Sequence, residues 1–203
     1  ITDSMRINAF YHVNQIPSKY DYRPDWRSLN KFGSEEKIKN YIQKEGIERI
    51  VLLEDFVGSG NQVKKAVEFA AKIGVPLLFL PFIACQEAIE VVKKLENIYP
   101  KIITLSHVIS LGETAFVKSI PIDGELLLAS KIRDLVVRTY HNVCGKQAPY
   151  DLEETPYGPF GFKGADGIGG LIVMYSNCPN NTLPIIHHES NSWKPLFPRS
   201  SRV

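Results

Sequence analysis

Apolar residues in this chain recur at two spacings, and the alternation between them predicts most of its elements. After Ser34, the residues Ile38, Tyr41 and Ile42 fall on one helical face. Ser34 suits an N-cap, Glu35 and Glu36 suit the positive end of a first turn, and Gly46 suits the stop. Arg49–Leu53 is a short β-branched and aliphatic run that predicts a strand. Asn61–Ile73 returns to helical spacing through Val63, Val67 and Ala70 and halts at Gly74 and Pro76. Pro76–Ala84 is almost unbroken apolar sequence, as expected of a strand buried on both faces of a parallel sheet. Ala88, Val91, Val92 and Leu95 predict a helix over Gln86–Asn97, and Lys101–Ile109 predicts a further strand. Asp123 is the expected cap of a long helix over Gly124–Val143, ended by Gly145, with Lys131, Arg133, Asp134 and Arg138 on its polar face. Gly145–Asp166 reads as a loop, Leu171–Tyr175 as a final strand, and Ser176–Val203 as an irregular tail.

Strand–helix–strand–helix–strand argues for the α/β class: a doubly wound, mainly parallel sheet with right-handed crossovers and an irregular C-terminal extension. Residues 1–46 lack sustained periodicity before Ser34 and read as an N-terminal extension, and 47–203 as the main domain. The chain opens on Ile1 rather than Met, so this extension is expected to be the remnant of a longer N-terminal part.

Composition narrows the class without changing the picture. With 203 residues, 44% hydrophobic and 23% charged, the chain can bury a core of its own. A net charge of +2 gives no support to nucleic acid as a partner. The three cysteines, Cys85, Cys144 and Cys178, lie far apart and form no CxxC pair, which argues against a disulfide framework or a zinc ribbon and for a cytoplasmic setting. No apolar run reaches the length of a membrane span, and no signal peptide opens the chain, so no membrane partner is expected.

The richest stretch chemically runs from Val51 to Gln62. Apolar residues lead into Glu54 and Asp55 at the carboxyl end of a strand, a Gly58-Ser59-Gly60 turn follows, and a helix begins at Asn61. Ligands of open α/β sheets bind at such strand ends. Glycines let several backbone N–H groups converge on an anion, and the helix N-terminus adds partial positive charge. Two carboxylates beside a phosphate site repel the phosphate, so they make sense where the ligand also shows hydroxyls or brings Mg²⁺. A Walker A loop would need a lysine directly after the last glycine, and the first one here is Lys64; a dinucleotide fingerprint would need a third glycine. The competing reading is a plain strand–turn–helix corner with incidental surface acids.

Glu54-Asp55, two apolar residues and a Ser/Gly turn resemble the 5-phosphoribosyl-1-pyrophosphate (PRPP) motif of type I phosphoribosyltransferases. The resemblance implies that Glu54 and Asp55, the candidate catalytic residues, hold the ribose 2′ and 3′ hydroxyls. Val57, Gly58, Ser59, Gly60, Asn61 and Gln62 would then surround the 5′-phosphate. It further implies Mg²⁺ carried in with PRPP, with Asp55 as a candidate contact and no dedicated metal site. Where the family has Thr or Ser at the loop end, this chain has Asn61-Gln62.

A second signature is Asn177-Cys178-Pro179-Asn180-Asn181-Thr182-Leu183-Pro184, after Gly167-Ile168-Gly169-Gly170. Asn177, Asn180, Asn181 and Thr182 are candidate base or ribose contacts, but their chemistry alone favours a self-satisfied turn that orders the tail. The two signatures together resemble the phosphoribosyltransferase-like domain of bacterial conflict systems, PRTase-CE, over roughly Ile47–Arg199. That resemblance implies a bacterial cytosolic effector of antiphage defence, with a ribose phosphate or nucleotide as ligand and other defence-system proteins as partners. It implies a glycosyl-transfer enzyme, with a non-catalytic nucleotide-sensing or protein-interaction module as the alternative.

The remaining constellations are weaker. The five histidines form no metal-ligating pair, so no metal site is expected from them. Lys19, Arg23 and Arg27 with Tyr20, Tyr22 and Trp26 could close over a pyrophosphate or a nucleic-acid strand, although a solvated connector is favoured. Lys131, Arg133 and Arg138 are expected to form a solvated helix face, with partner binding as the second reading.

Overall fold

The computed structural model describes residues 34–145, 157–162, 167–174 and 178–198, and the basic-aromatic stretch 19–27 lies outside them. The chain folds as two compact units, Ile1–Leu111 and Gly112–Val203.

The first unit opens with α1 (Glu35–Lys44). Ser34 caps it as expected, its Oγ accepting from the Lys37 N–H at 3.3 Å. Ile38 and Ile42 are buried against Ile73, with Tyr41, Ile47 and Phe69 around them. Strand β1 (Ile50–Val57), helix α2 (Asn61–Lys72), strand β2 (Leu77–Cys85) and helix α3 (Gln86–Ile98) follow, then the short strands β3 (Ile103–Leu105) and β4 (Ile109–Leu111). All pairings are parallel: β1 lies on one side of β2, and both β3 and β4 lie on the other.

Strand order equals chain order here, and right-handed crossovers then place α2 and α3 on the same face of the sheet. The packing agrees: Val63, Val67, Ala70 and Ala71 of α2 and Ala88, Val92 and Leu95 of α3 share one core with Leu52, Leu77, Phe79 and Ile103. The opposite face carries Val51 and Phe82, which are 53% and 41% exposed.

The single strand expected over Lys101–Ile109 is instead two pieces, and Pro81 supplies the reason. In a parallel ladder a residue's N–H and C=O point to the same neighbour. The Pro81 carbonyl accepts from the Val108 N–H at 3.2 Å, so its missing N–H falls on that same side. Leu77–Phe79 pair with β3 and Ile83–Cys85 with β4, and the break in the third strand lies opposite the proline.

The second unit is built differently. A 3₁₀ turn (Glu113–Ala115) leads to α4 (Leu127–Cys144), a small antiparallel hairpin of β5 (Tyr157–Gly158) and β6 (Gly161–Phe162), and a one-turn helix α5 (Pro184–His187). Val117, Val136, Phe160 and Leu183 form its core. The expected strand over Leu171–Tyr175 does not form in its described part, where Leu171 and Val173 are 45% and 38% exposed; the preceding Gly170 makes bridges to Phe116 and Thr182. Asp123 does not cap α4: it sits in a turn, and the helix starts after Leu126 without a side-chain cap. Gly145 ends α4 as expected. Arg133, expected in a solvated face, is buried. Its guanidinium makes a two-pronged contact with Glu125 (Nη1–Oε1 at 2.9 Å, and Nη2 with Oε2), while Nε donates to the Lys118 carbonyl at 2.7 Å.

Candidate functional site

Glu54 and Asp55 lie inside β1 rather than beyond it, because the ladder to β2 continues through Glu54 opposite Pro81 to Val57 opposite Ala84. Adjacent residues of a strand project to opposite faces, so the two acids flank the sheet at its carboxyl end. Both are buried, at 4% and 8% exposure. The Asp55 Oδ1 accepts from the Phe56 N–H at 2.7 Å, which fixes one carboxylate oxygen against the main chain.

After Val57 the chain bends through Gly58, Ser59 and Gly60 into the first turn of α2. Gly58 and Ser59 are half-buried and Asn61 is exposed, while Gln62 lies in the first turn. Gly60 is the N-cap of α2 with φ +78°, a left-handed value that disfavours side chains. A Cβ there would meet Ala88 Cα at 3.1 Å and Val91 Cβ at 3.2 Å, so Gly60 is also pressed against α3.

The electrostatics of this corner follow from what it omits. Helix α1 is capped by Ser34 and has two acids in its first turn. Helix α2 has neither a side-chain cap nor a first-turn acid. Its first amides keep their partial positive charge and have no capping side chain to accept from them. The corner therefore offers N–H donors and a positive helix end a few residues from two carboxylates, a combination suited to an anion that also carries hydroxyls.

Cys85 stands at the carboxyl end of β2 as the N-cap of α3. Burial, reinforced by Glu87, pushes its thiol up to about 12, and only a thiolate attacks well. The described cysteines are all free.

Among the described residues no group of three or more His, Cys, Asp or Glu could hold a metal ion. A dedicated cage is therefore lacking there. Two acids at a strand end fit the other arrangement, in which Mg²⁺ arrives on phosphate oxygens, keeps several waters and meets the protein through one or two carboxylates.

The second signature is placed in the second unit, and Asn177 lies outside the described residues. Asn180 is exposed, Asn181 half-buried and Thr182 fully buried. The Thr182 hydroxyl donates to the Ile172 carbonyl at 2.7 Å, and its N–H donates to the Pro179 carbonyl at 2.9 Å. The Gly170 N–H donates to Asn181 O at 2.7 Å, and its carbonyl accepts from Leu183 N–H at 2.9 Å. Thr182 thus points into the fold, leaving Asn180 and Asn181 as the outward members of the turn. His187 is buried and His188 exposed.

Sequence reasoning missed the backing of the cradle by Ala88 and Val91. The one signal for it was a small residue, Ala88, at the start of an otherwise large apolar helix face. No helix among the described residues is long and apolar enough to cross a membrane.

The family model described as PRTase-CE matches residues 7–199 of the chain. No curated protein and no solved structure matches it.

Proposed function

The chain belongs to the PRTase-CE family, a phosphoribosyltransferase-like domain, and from that premise we propose that its Glu54–Gln62 corner binds PRPP or a related ribose 5-phosphate or nucleotide. The observation that carries this reading is the junction itself: two buried acids in the carboxyl half of β1, a glycine turn and an α2 N-terminus with neither a side-chain cap nor a first-turn acid. Glu54 and Asp55 accept from the ribose hydroxyls, and the amides from Gly58 to Gln62 hold the 5′-phosphate. Asp55 is the residue that would contact Mg²⁺ carried in with the diphosphate, and the ion would supply charge neutralisation there. The chain's own part is positioning: it holds the two ends of the ribose phosphate so that a developing positive ribosyl centre lies beside carboxylates. The biological setting we propose is that of an antiphage effector acting in the bacterial cytoplasm alongside other defence proteins.

Asn61, an exposed amide where the family has a Thr or Ser hydroxyl, favours a second reading in which the corner senses a nucleotide without turnover. Titration with PRPP and Mg²⁺, followed by melting temperature and by ³¹P signals of released pyrophosphate, separates the two. Glu54→Gln/Asp55→Asn keeps the shape of both side chains and should abolish the ligand-induced rise in melting temperature. Binding without pyrophosphate release, with and without candidate acceptors, selects the sensing reading. Equal behaviour of wild type and double variant sinks both.

A further inference from the structure

Helix α4 turns Arg133, Val136 and Val143 inward. Its opposite side carries Leu127, Leu128 and Leu135, which are 75%, 62% and 41% exposed, interleaved with the exposed Lys131, Asp134 and Arg138. At about 100° per residue these six occupy roughly one third of the helix circumference. Three leucines open to water on one helix are costly unless a partner covers them.

The order of charges indicates which partner. A purely acidic surface would meet Asp134, and a purely basic one would meet Lys131 and Arg138. The same stripe run in the opposite direction answers both. If two copies of α4 pack antiparallel about a two-fold axis level with residue 132, Lys131 of each faces Asp134 of the other. Leu128 of each then faces Leu135 of the other. Both matches hold to within about 1.5 Å along the axis, the rise of one residue, and each occurs twice by symmetry. The aliphatic stem of Arg138 then covers the partner's Leu127.

We propose that this face of α4 is the contact by which two copies of the chain associate as an antiparallel, isologous pair. The pairing is independent of the ligand reading for the Glu54–Gln62 corner.

Sedimentation equilibrium of the full chain over about a hundredfold range of concentration tests it. The wild type approaches twice its 22.9 kDa chain mass. Lys131→Glu and Asp134→Lys each set like charges against one another at both crossings and weaken association by about tenfold or more. Lys131→Glu combined with Asp134→Lys restores it, and so does mixing the two single variants, a rescue between chains that the i,i+3 charge pair within one helix cannot produce, while circular dichroism of each variant follows the fold. Should one single variant unfold, the other single variant and the double exchange carry the test. A chain that remains monomeric overturns the proposal. So does a dimer indifferent to the charge changes, or a double exchange that fails to restore it.

Discussion

The two units of the chain reach stability by opposite means. In the unit ending at Leu111, separate elements meet through side chains: Phe79, Leu77, Val67, Val92 and Leu95 fill the space between a parallel sheet and two helices. In the unit starting at Gly112, a smaller side-chain core around Val117, Val136, Phe160 and Leu183 is joined by close contacts of main chain on main chain. The Val117 N–H donates to Gly169 O at 2.9 Å, and Gly170 exchanges bonds with Asn181 and Leu183 across the turn. A Cβ on Gly169 would lie 1.7 Å from Val117 O, and one on Gly170 would lie 2.9 Å from Asn181 O. The first arrangement fails by losing volume, the second by gaining it.

That contrast can be broken most sharply at Gly169. Its φ is +67° and its missing Cβ is occupied by backbone, so Gly169→Ala should cost more than about 5 kcal/mol and unfold the second unit. Hydrogen exchange should show amides after Gly112 losing protection while those of β1 and β2 keep theirs; uniform loss would mean that the units do not unfold separately.

Phe79→Ala makes the converse cut. Phe79 is 1% exposed at the centre of the first core, and the cavity should cost about 3–5 kcal/mol, read from urea denaturation. A smaller effect is expected for Gly60→Ala, about 1–3 kcal/mol, because φ +78° is strained and Ala88 and Val91 must give way. At Gly60 the first unit uses the device of the second, so a neutral result would remove the corner's claim to be rigidly backed.

The smallest effect concerns pH. The hydrogen bond from Arg133, aided by its charge, holds the Glu125 carboxyl below the usual carboxylate range. A carboxyl lowered in the folded state stabilises above its unfolded value, and that gain is lost as pH falls through the folded value. Melting temperatures of wild type and Glu125→Gln should therefore differ at neutral pH and converge in acid. A constant difference would assign the contact to packing instead.

The same contrast explains what could be read from residue order. Helices α1, α2 and α3 were legible because each buries one stripe, and spacing alone reveals a stripe. The α/β class with a mainly parallel sheet followed from their alternation with strands. Val57–Gln62 and the acids before them were legible as a corner because glycine, acid and helix start are neighbours in the chain. The second unit resisted for a physical reason. Leu171–Val173 has strand composition, but Gly170 spends its bonds on the Asn181–Leu183 turn, a partner eleven or more residues away that no local pattern announces. Arg133 reads as a surface residue in the sequence because its neutralising partner, Glu125, precedes the helix rather than sharing its face. Pro81 reads as one more residue of an apolar run, yet its absent donor lies where the third strand divides.

Gly60 finally bears on what binding would cost. Fixing a backbone residue takes about 1–2 kcal/mol of conformational entropy. Lodged against Ala88 and Val91, this turn gives up that freedom when the chain folds rather than when a ligand arrives. An anion docking there would meet donors already in register, so its calorimetric signature should lack the large ordering penalty of a loop that closes on its guest.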